Sequence, residues 1–87
     1  MKIITSTLNV TIETMEELKA NTARTPISDI QAKRYGWKKE NCEIWNGNLF
    51  LYEDENKVYI VDYFTKDIQQ ANFKSNKIVN VGYKTKR

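Results

Sequence analysis

The sequence predicts an α+β fold: one small domain, residues 1–87, built as an antiparallel meander of about four to six strands with two short helices on one side. Three observations carry that expectation. Apolar residues recur at every second place near both ends of the chain and through its middle. Helix-start signals are confined to roughly residues 15–35, and an Asn-Gly pair separates two of the alternating runs. Period-two alternation marks strands, and Asn-Gly is the strongest short signal for a hairpin.

At the start, KII at 2–4 and then Leu8, Val10 and Ile12 alternate with polar residues, which predicts one strand or a short hairpin. Thr14 followed by Glu17 is a capping box, with the threonine oxygen taking the Glu17 amide and the glutamate returning to the cap amide. A helix over Met15–Asn21 follows, held by packing of Met15 and Leu18. Thr25-Pro26 is a second helix start, with proline at a position whose missing N–H costs nothing, and Gly36 is its stop. Ile27 and Ile30 share a face of this helix, and Trp37 beyond the stop reads as an anchor onto the sheet.

From Cys42 the period becomes two. A type I′ turn at Asn46-Gly47 pairs Ile44 with Leu49, Trp45 with Asn48, Glu43 with Phe50 and Cys42 with Leu51. Symmetry about the next turn, Asp54 to Lys57, pairs Tyr52 with Tyr59, Leu51 with Ile60 and Phe50 with Val61. One face of the meander is then aliphatic: Cys42, Ile44, Leu49, Leu51, Val58 and Ile60. The other is aromatic: Trp45, Phe50, Tyr52, Tyr59, Val61 and Tyr63. A slip of one residue in either turn exchanges these sets. Residues 68–73 fit a strand or one helical turn, Ser75-Asn76 is a turn, and 77–84 is a last strand in which Gly82 marks a bulge or a close approach.

Composition excludes more than it assigns. With Cys42 the sole cysteine and no histidine, there is no internal disulfide, no cysteine cluster for zinc and no histidine general base. Cys42 itself falls at a core position, where a thiol is a small hydrophobe. The three glycines are isolated, so no phosphate-cradling loop is formed. Asp54, Glu55 and Asp62 lack the ligand spacing of a calcium loop. Asp62, flanked by Val61 and Tyr63, is the one carboxylate placed for acid–base chemistry, and it reads more simply as a strand-end residue. These readings predict no enzyme activity, no cofactor and no metal. Polar residues interrupt the first apolar stretch and no run approaches a membrane span, so neither a signal peptide nor a membrane is expected, and the single cysteine fits a cytoplasmic setting.

The net charge of +3 is distributed in blocks, with −5 over residues 40–62 and +5 over residues 63–87. Two binding surfaces follow. The aromatic face, with an acidic rim, gives partner-binding residues Trp45, Phe50, Tyr52, Glu53, Asp54, Glu55, Tyr59 and Tyr63, since tyrosine and tryptophan dominate protein interfaces. The alternative is a nucleic-acid-binding module using Lys33, Arg34, Lys38, Lys39, Lys74, Lys77 and Lys84. Against these stand plainer readings, in which the aromatic face is internal core and the lysines are solvated charge.

Short, cysteine-poor and rich in Asn, Lys, Ile and Tyr, the chain is similar in general character to small phage- or mobile-element-encoded proteins. That resemblance covers no particular residues and implies only a class of action, binding a host or defence protein such as a nuclease or CRISPR effector. The expectation is a non-enzymatic binding protein, an inhibitor or modulator of a larger protein or nucleoprotein complex, with nucleic acid or a second copy of the chain as other partners.

Overall fold

The computed structural model describes residues 1–21 and 28–82. Along the chain these form β1 (Lys2–Ile4), β2 (Asn9–Thr11), α1 (Met15–Asn21), α2 (Asp29–Tyr35), a 3₁₀ turn at Lys39–Asn41, β3 (Cys42–Trp45), β4 (Asn48–Tyr52), β5 (Lys57–Asp62), β6 (Ile68–Asn72) and β7 (Lys77–Gly82). β1 and β2 pair as a hairpin, and β3 to β7 form a five-stranded antiparallel sheet in sequence order. The architecture is α+β.

The β3–β4 turn is as its residues require. Asn46 and Gly47 take φ of 52° and 78°, both in the left-handed region of a type I′ turn, and the four predicted β3–β4 pairs are all present. The β4–β5 register differs by one residue from the symmetric expectation: Tyr52 pairs with Val58, Leu51 with Tyr59 and Phe50 with Ile60. The reason is local. The Asp54 carboxylate accepts hydrogen bonds from the amides of Asn56 and Lys57 at 2.8 and 2.9 Å, and Glu53 N–H donates to the Lys57 carbonyl. Asp54 to Asn56 therefore make a three-residue loop that sets Glu53 across from Lys57. The slip exchanges the two sets of side chains on β5.

Each face of the sheet has its own core. On one, Phe50, Tyr52, Val58, Ile60 and Ala71 pack against Ile3, Leu8 and Ile12 of the hairpin and Met15 and Leu18 of α1. On the other, Cys42, Leu49, Leu51, Val61 and Ile68 pack against Ala32 of α2, with Trp37 and Tyr59 beside them. The expectation of both helices on one side is corrected accordingly. A meander apolar on both faces needs two covers, and a short helix can bury only one stripe, so the helices divide between the faces.

Both helices are tied at their starts. Thr14 Oγ1 accepts from Glu17 N–H at 3.1 Å, and the Glu17 carboxylate reaches Glu13 N–H at 2.8 Å, one residue before the cap amide. For α2 the cap is Ser28, in extended backbone with its hydroxyl accepting from Gln31 N–H, and the helix begins at Asp29. The predicted Thr25-Pro26 start lies outside the described residues. Gly36, at φ 75°, ends α2 as expected. Ile30 is 74% exposed, so α2 rests on Ala32 and not on Ile30, while Ile27 lies outside the described residues. Trp37 does anchor the helix, its ring meeting Tyr59 edge-on at 5.8 Å.

A polar seam fastens the β1–β2 loop to the sheet. Thr7 Oγ1 donates to the Asn46 carbonyl at 2.6 Å, Asn46 Nδ2 donates to the Thr7 carbonyl at 2.7 Å, and Gln69 Nε2 donates to the Ile4 carbonyl. Asp62, 2% exposed, accepts from Ser6 N–H and Oγ and from Phe64 and Thr65 N–H.

Candidate protein-binding surface

The register slip disperses the aromatic surface expected from the sequence. Phe50 is fully buried and Tyr52 is 6% exposed, both beneath the hairpin and α1. The Tyr52 hydroxyl donates to Glu43 Oε1 at 3.3 Å, and Lys19 Nζ sits 4.9 Å from the centre of its ring. Trp45, half-buried, leans on Phe50 with ring centres 6.0 Å apart. Tyr59 and Tyr63 belong to the opposite face, where their hydroxyls accept from Gln70 and Gln31 amide groups at 3.1 and 2.8 Å. These five rings are divided between two cores and form no common platform. Of the expected partner-binding set, Glu53, Asp54 and Glu55 alone are exposed. The hydrogen bond from Asn56 N–H, with that from Lys57 N–H, holds the Asp54 carboxyl below its usual range, which marks it as the organiser of the loop.

The basic residues fall on separate elements. Lys33 and Arg34 lie exposed in the last turn of α2, Lys38 follows it, and Lys74 and Lys77 are exposed around the β6–β7 turn. The side chain of Lys39 and the whole of Lys84 lie outside the described residues.

The titratable groups in the interior have structural occupations. Burial pushes the Cys42 thiol up to about 11, aided by the Glu40 charge, and its Sγ–H donates to the Lys38 carbonyl. Burial raises the Asp62 carboxyl too, but the hydrogen bonds from Ser6, Phe64 and Thr65 outweigh it and bring it to about 2. A carboxylate so fully ionised and so fully engaged offers no proton near neutrality. Among the described residues, no group of three or more acidic or sulfur side chains is placed to hold a metal ion, and no helix is long and apolar enough to cross a membrane.

What the structure leaves uncovered is the far edge of the sheet. The cross-strand row on the α2 side runs Cys42, Leu51, Tyr59, Gln70 and Val79. Cys42 and Leu51 are buried, Tyr59 and Gln70 are half-buried, and Val79 is 48% exposed. Cover from α2 and Trp37 thus fails progressively toward β7. Val81 is 44% exposed, while Ile78, on the other face, packs on the hairpin core. No described strand lies beyond β7, so every second residue along it directs backbone groups outward. The opposite edge is different, since β3 begins with buried Cys42 and Glu43. The alternation of Val79 and Val81 was legible in the sequence; their exposure was not.

Comparison with known proteins finds no matching family model, no matching curated protein and no matching solved structure.

Proposed function

We propose that this chain is a non-enzymatic binding protein that modulates a larger protein or nucleoprotein complex, and that its contact surface is the outer edge of the sheet at β7. One observation carries the reading: both faces of the sheet are covered from β3 to β5, and the cover runs out over an edge strand that presents Val79 and Val81 to water. An edge strand offers a partner a row of backbone donors and acceptors, and its exposed side chains supply the apolar contact that gives such pairing its selectivity. The general similarity to small phage- or mobile-element-encoded proteins supports action as an inhibitor, such as one directed at a host defence nuclease or a CRISPR effector. It bears on the class of partner and assigns no residue.

The test is capture from the native host lysate, run with and without nuclease, by the wild-type chain and by Val79→Lys/Val81→Lys. Both valines are exposed, so the folded state should be retained, as circular dichroism would show. Recovery of one protein by the wild-type chain regardless of nuclease, and its loss with the double variant, is the expected result. Equal recovery by both chains would place the contact elsewhere, and loss of all bound material on nuclease treatment would favour nucleic acid.

A further inference from the structure

The Asn46-Gly47 turn carries a covalent chemistry as well as a shape. Asn46 is the one asparagine in the chain followed by glycine; every other precedes a residue with a side chain. Asparagine is a labile residue, and most so here, because a glycine amide with no Cβ beside it has the freedom to reach the asparagine Cγ. Asn46 is exposed, so water and hydroxide have access to it.

The fold nevertheless holds every group that must move. Asn46 Nδ2 donates to the Thr7 carbonyl at 2.7 Å, which commits the side-chain amide to the β1–β2 loop. The Asn46 carbonyl accepts from Thr7 Oγ1 at 2.6 Å and from Asn48 Nδ2 at 3.0 Å, so the peptide plane between Asn46 and Gly47 is fixed. Gly47 in turn accepts at its carbonyl from Tyr63 N–H at 3.1 Å, and the Phe64 ring lies against its Cα. We infer that Asn46 is a site of spontaneous deamidation that the docked β1–β2 loop holds shut: the reaction proceeds when the loop lifts, and its product weakens the return of the loop.

The steps balance with water as the only co-reactant. The deprotonated Gly47 nitrogen attacks Asn46 Cγ; the N–Cγ bond forms, the Cγ–Nδ2 bond breaks, and Nδ2 leaves as ammonia with the proton supplied by water. Water then opens the succinimide ring. Cleavage of the bond to Cγ gives aspartate, and cleavage of the bond to the main-chain carbonyl gives isoaspartate. Either product loses the Nδ2 donor, and an aspartate oxygen set against the Thr7 carbonyl is a second acceptor where a donor stood. Isoaspartate also lengthens a two-residue turn by one backbone carbon, which strains the closing pair Trp45 and Asn48.

The experiment is peptide mapping by mass spectrometry of the full chain aged at mildly alkaline pH, both folded and in guanidinium chloride. Three chains are compared: wild type, Thr7→Val and Ile60→Val. Valine keeps the shape of exposed Thr7 and removes the hydroxyl that bonds Asn46 and Asn48, while Ile60 is buried in the hairpin-side core and takes no part in these hydrogen bonds. In guanidinium all three should deamidate at Asn46 at one rate. Folded wild type should be slower by about a hundredfold, since several hydrogen bonds must open together. Thr7→Val should raise the folded rate about tenfold, and Ile60→Val should raise it far less for a comparable loss of stability in urea. The deamidated fraction, separated by ion exchange, should show faster amide exchange over the β1–β2 loop, and Asn46→Asp should melt below wild type.

A folded wild-type chain that deamidates at Asn46 as fast as in guanidinium would show that the loop restrains nothing. Equal acceleration by Thr7→Val and Ile60→Val at matched stability would assign the reaction to global unfolding, and would overturn the role of the loop. Faster conversion at any other asparagine would overturn the site, and unchanged exchange over the β1–β2 loop in the deamidated chain would overturn its consequence.

Discussion

Asp62 gives the sharpest test of how the sheet is assembled, because a single carboxylate holds the β1–β2 loop against the end of β5. In the folded chain it accepts from Ser6 N–H at 2.8 Å, Ser6 Oγ at 3.0 Å, Phe64 N–H at 2.8 Å and Thr65 N–H at 3.3 Å. These donors bring its pKa from the ordinary 3.8 to about 2. The pKa is lower in the folded state, so the stabilisation is fully present above the unfolded value and is lost as pH falls through the folded one. The window is therefore about pH 4 down to about pH 2. The shift corresponds to about 2 kcal/mol at neutral pH, an upper figure for a group at the rim of the sheet. Asp62→Asn keeps the size of the side chain but removes the charge and turns an N–H₂ toward groups that are themselves donors. It should destabilise by about 2 kcal/mol at pH 7, or roughly 8–16 °C in Tm for a domain of this size. Urea unfolding of both proteins at pH 7, 4 and 2 reads this directly. The difference between them should be largest at pH 7 and shrink toward pH 2. A difference that stays constant across the series, or a neutral variant at pH 7, would refute the role assigned to the carboxylate.

Other consequences follow from the same structure. Gly47→Ala should lose about 1–2 kcal/mol in thermal melts, because φ of 78° is strained for alanine and an added Cβ would sit 3.1 Å from the Phe64 ring. Phe50→Ala should cost about 3–5 kcal/mol and leave the chain largely unfolded by circular dichroism, whereas Ile30→Lys, at a site 74% exposed, should change stability by no more than about 0.5 kcal/mol. Tyr52→Ala should likewise act on stability, with loss of the near-ultraviolet spectrum, and not on partner capture alone. Cys42, with its thiol raised to about 11, should resist alkylation at pH 8 in the folded chain and react fully in urea.

The parts of the fold that were legible in the sequence are those decided within a few residues. Asn46-Gly47 fixes a two-residue turn because only that pair takes positive φ twice at little cost, and the β3–β4 register follows from it. Gly36 at the end of α2 and the irregular pairing where Gly82 meets Ile68 are of the same kind. Asp54-Glu55-Asn56-Lys57 was not so transparent. Its register depends on one carboxylate capping two amides, and a symmetric turn and a three-residue loop are equally compatible with the letters. From that one residue came the expected aromatic platform, since moving β5 by a single place sends Tyr59 and Tyr63 to the side opposite Phe50 and Tyr52. Which helix covers which face was not legible either. It depends on the hand and reach of the connections, and Ile30 carries the right spacing for a buried stripe while facing water.

The location of the proposed binding edge follows from the same economy of cover. A sheet that is apolar on both sides from β3 to β5 requires two lids, and the described residues supply the β1–β2 hairpin with α1 for one and a seven-residue α2 for the other. A helix of seven residues is about 10 Å long, while strands are spaced about 4.8 Å apart, so five of them span about 19 Å between the outermost axes. Ala32 of α2 packs with Cys42, Leu49, Leu51, Val61 and Ile68, and Trp37 carries the cover on to Tyr59, while Val79 beyond them stays 48% exposed. The uncovered strip on that face therefore falls at β7, and the outward backbone groups of β7, which lie in the plane of the sheet, are shielded by a lid on neither face. Hydrogen exchange reads this directly: the outward amides of β7 should exchange faster than the amides of β4 and β5 and should gain protection when a partner is bound, whereas a β7 protected as well as β4 in the free chain would mean that the edge is not open.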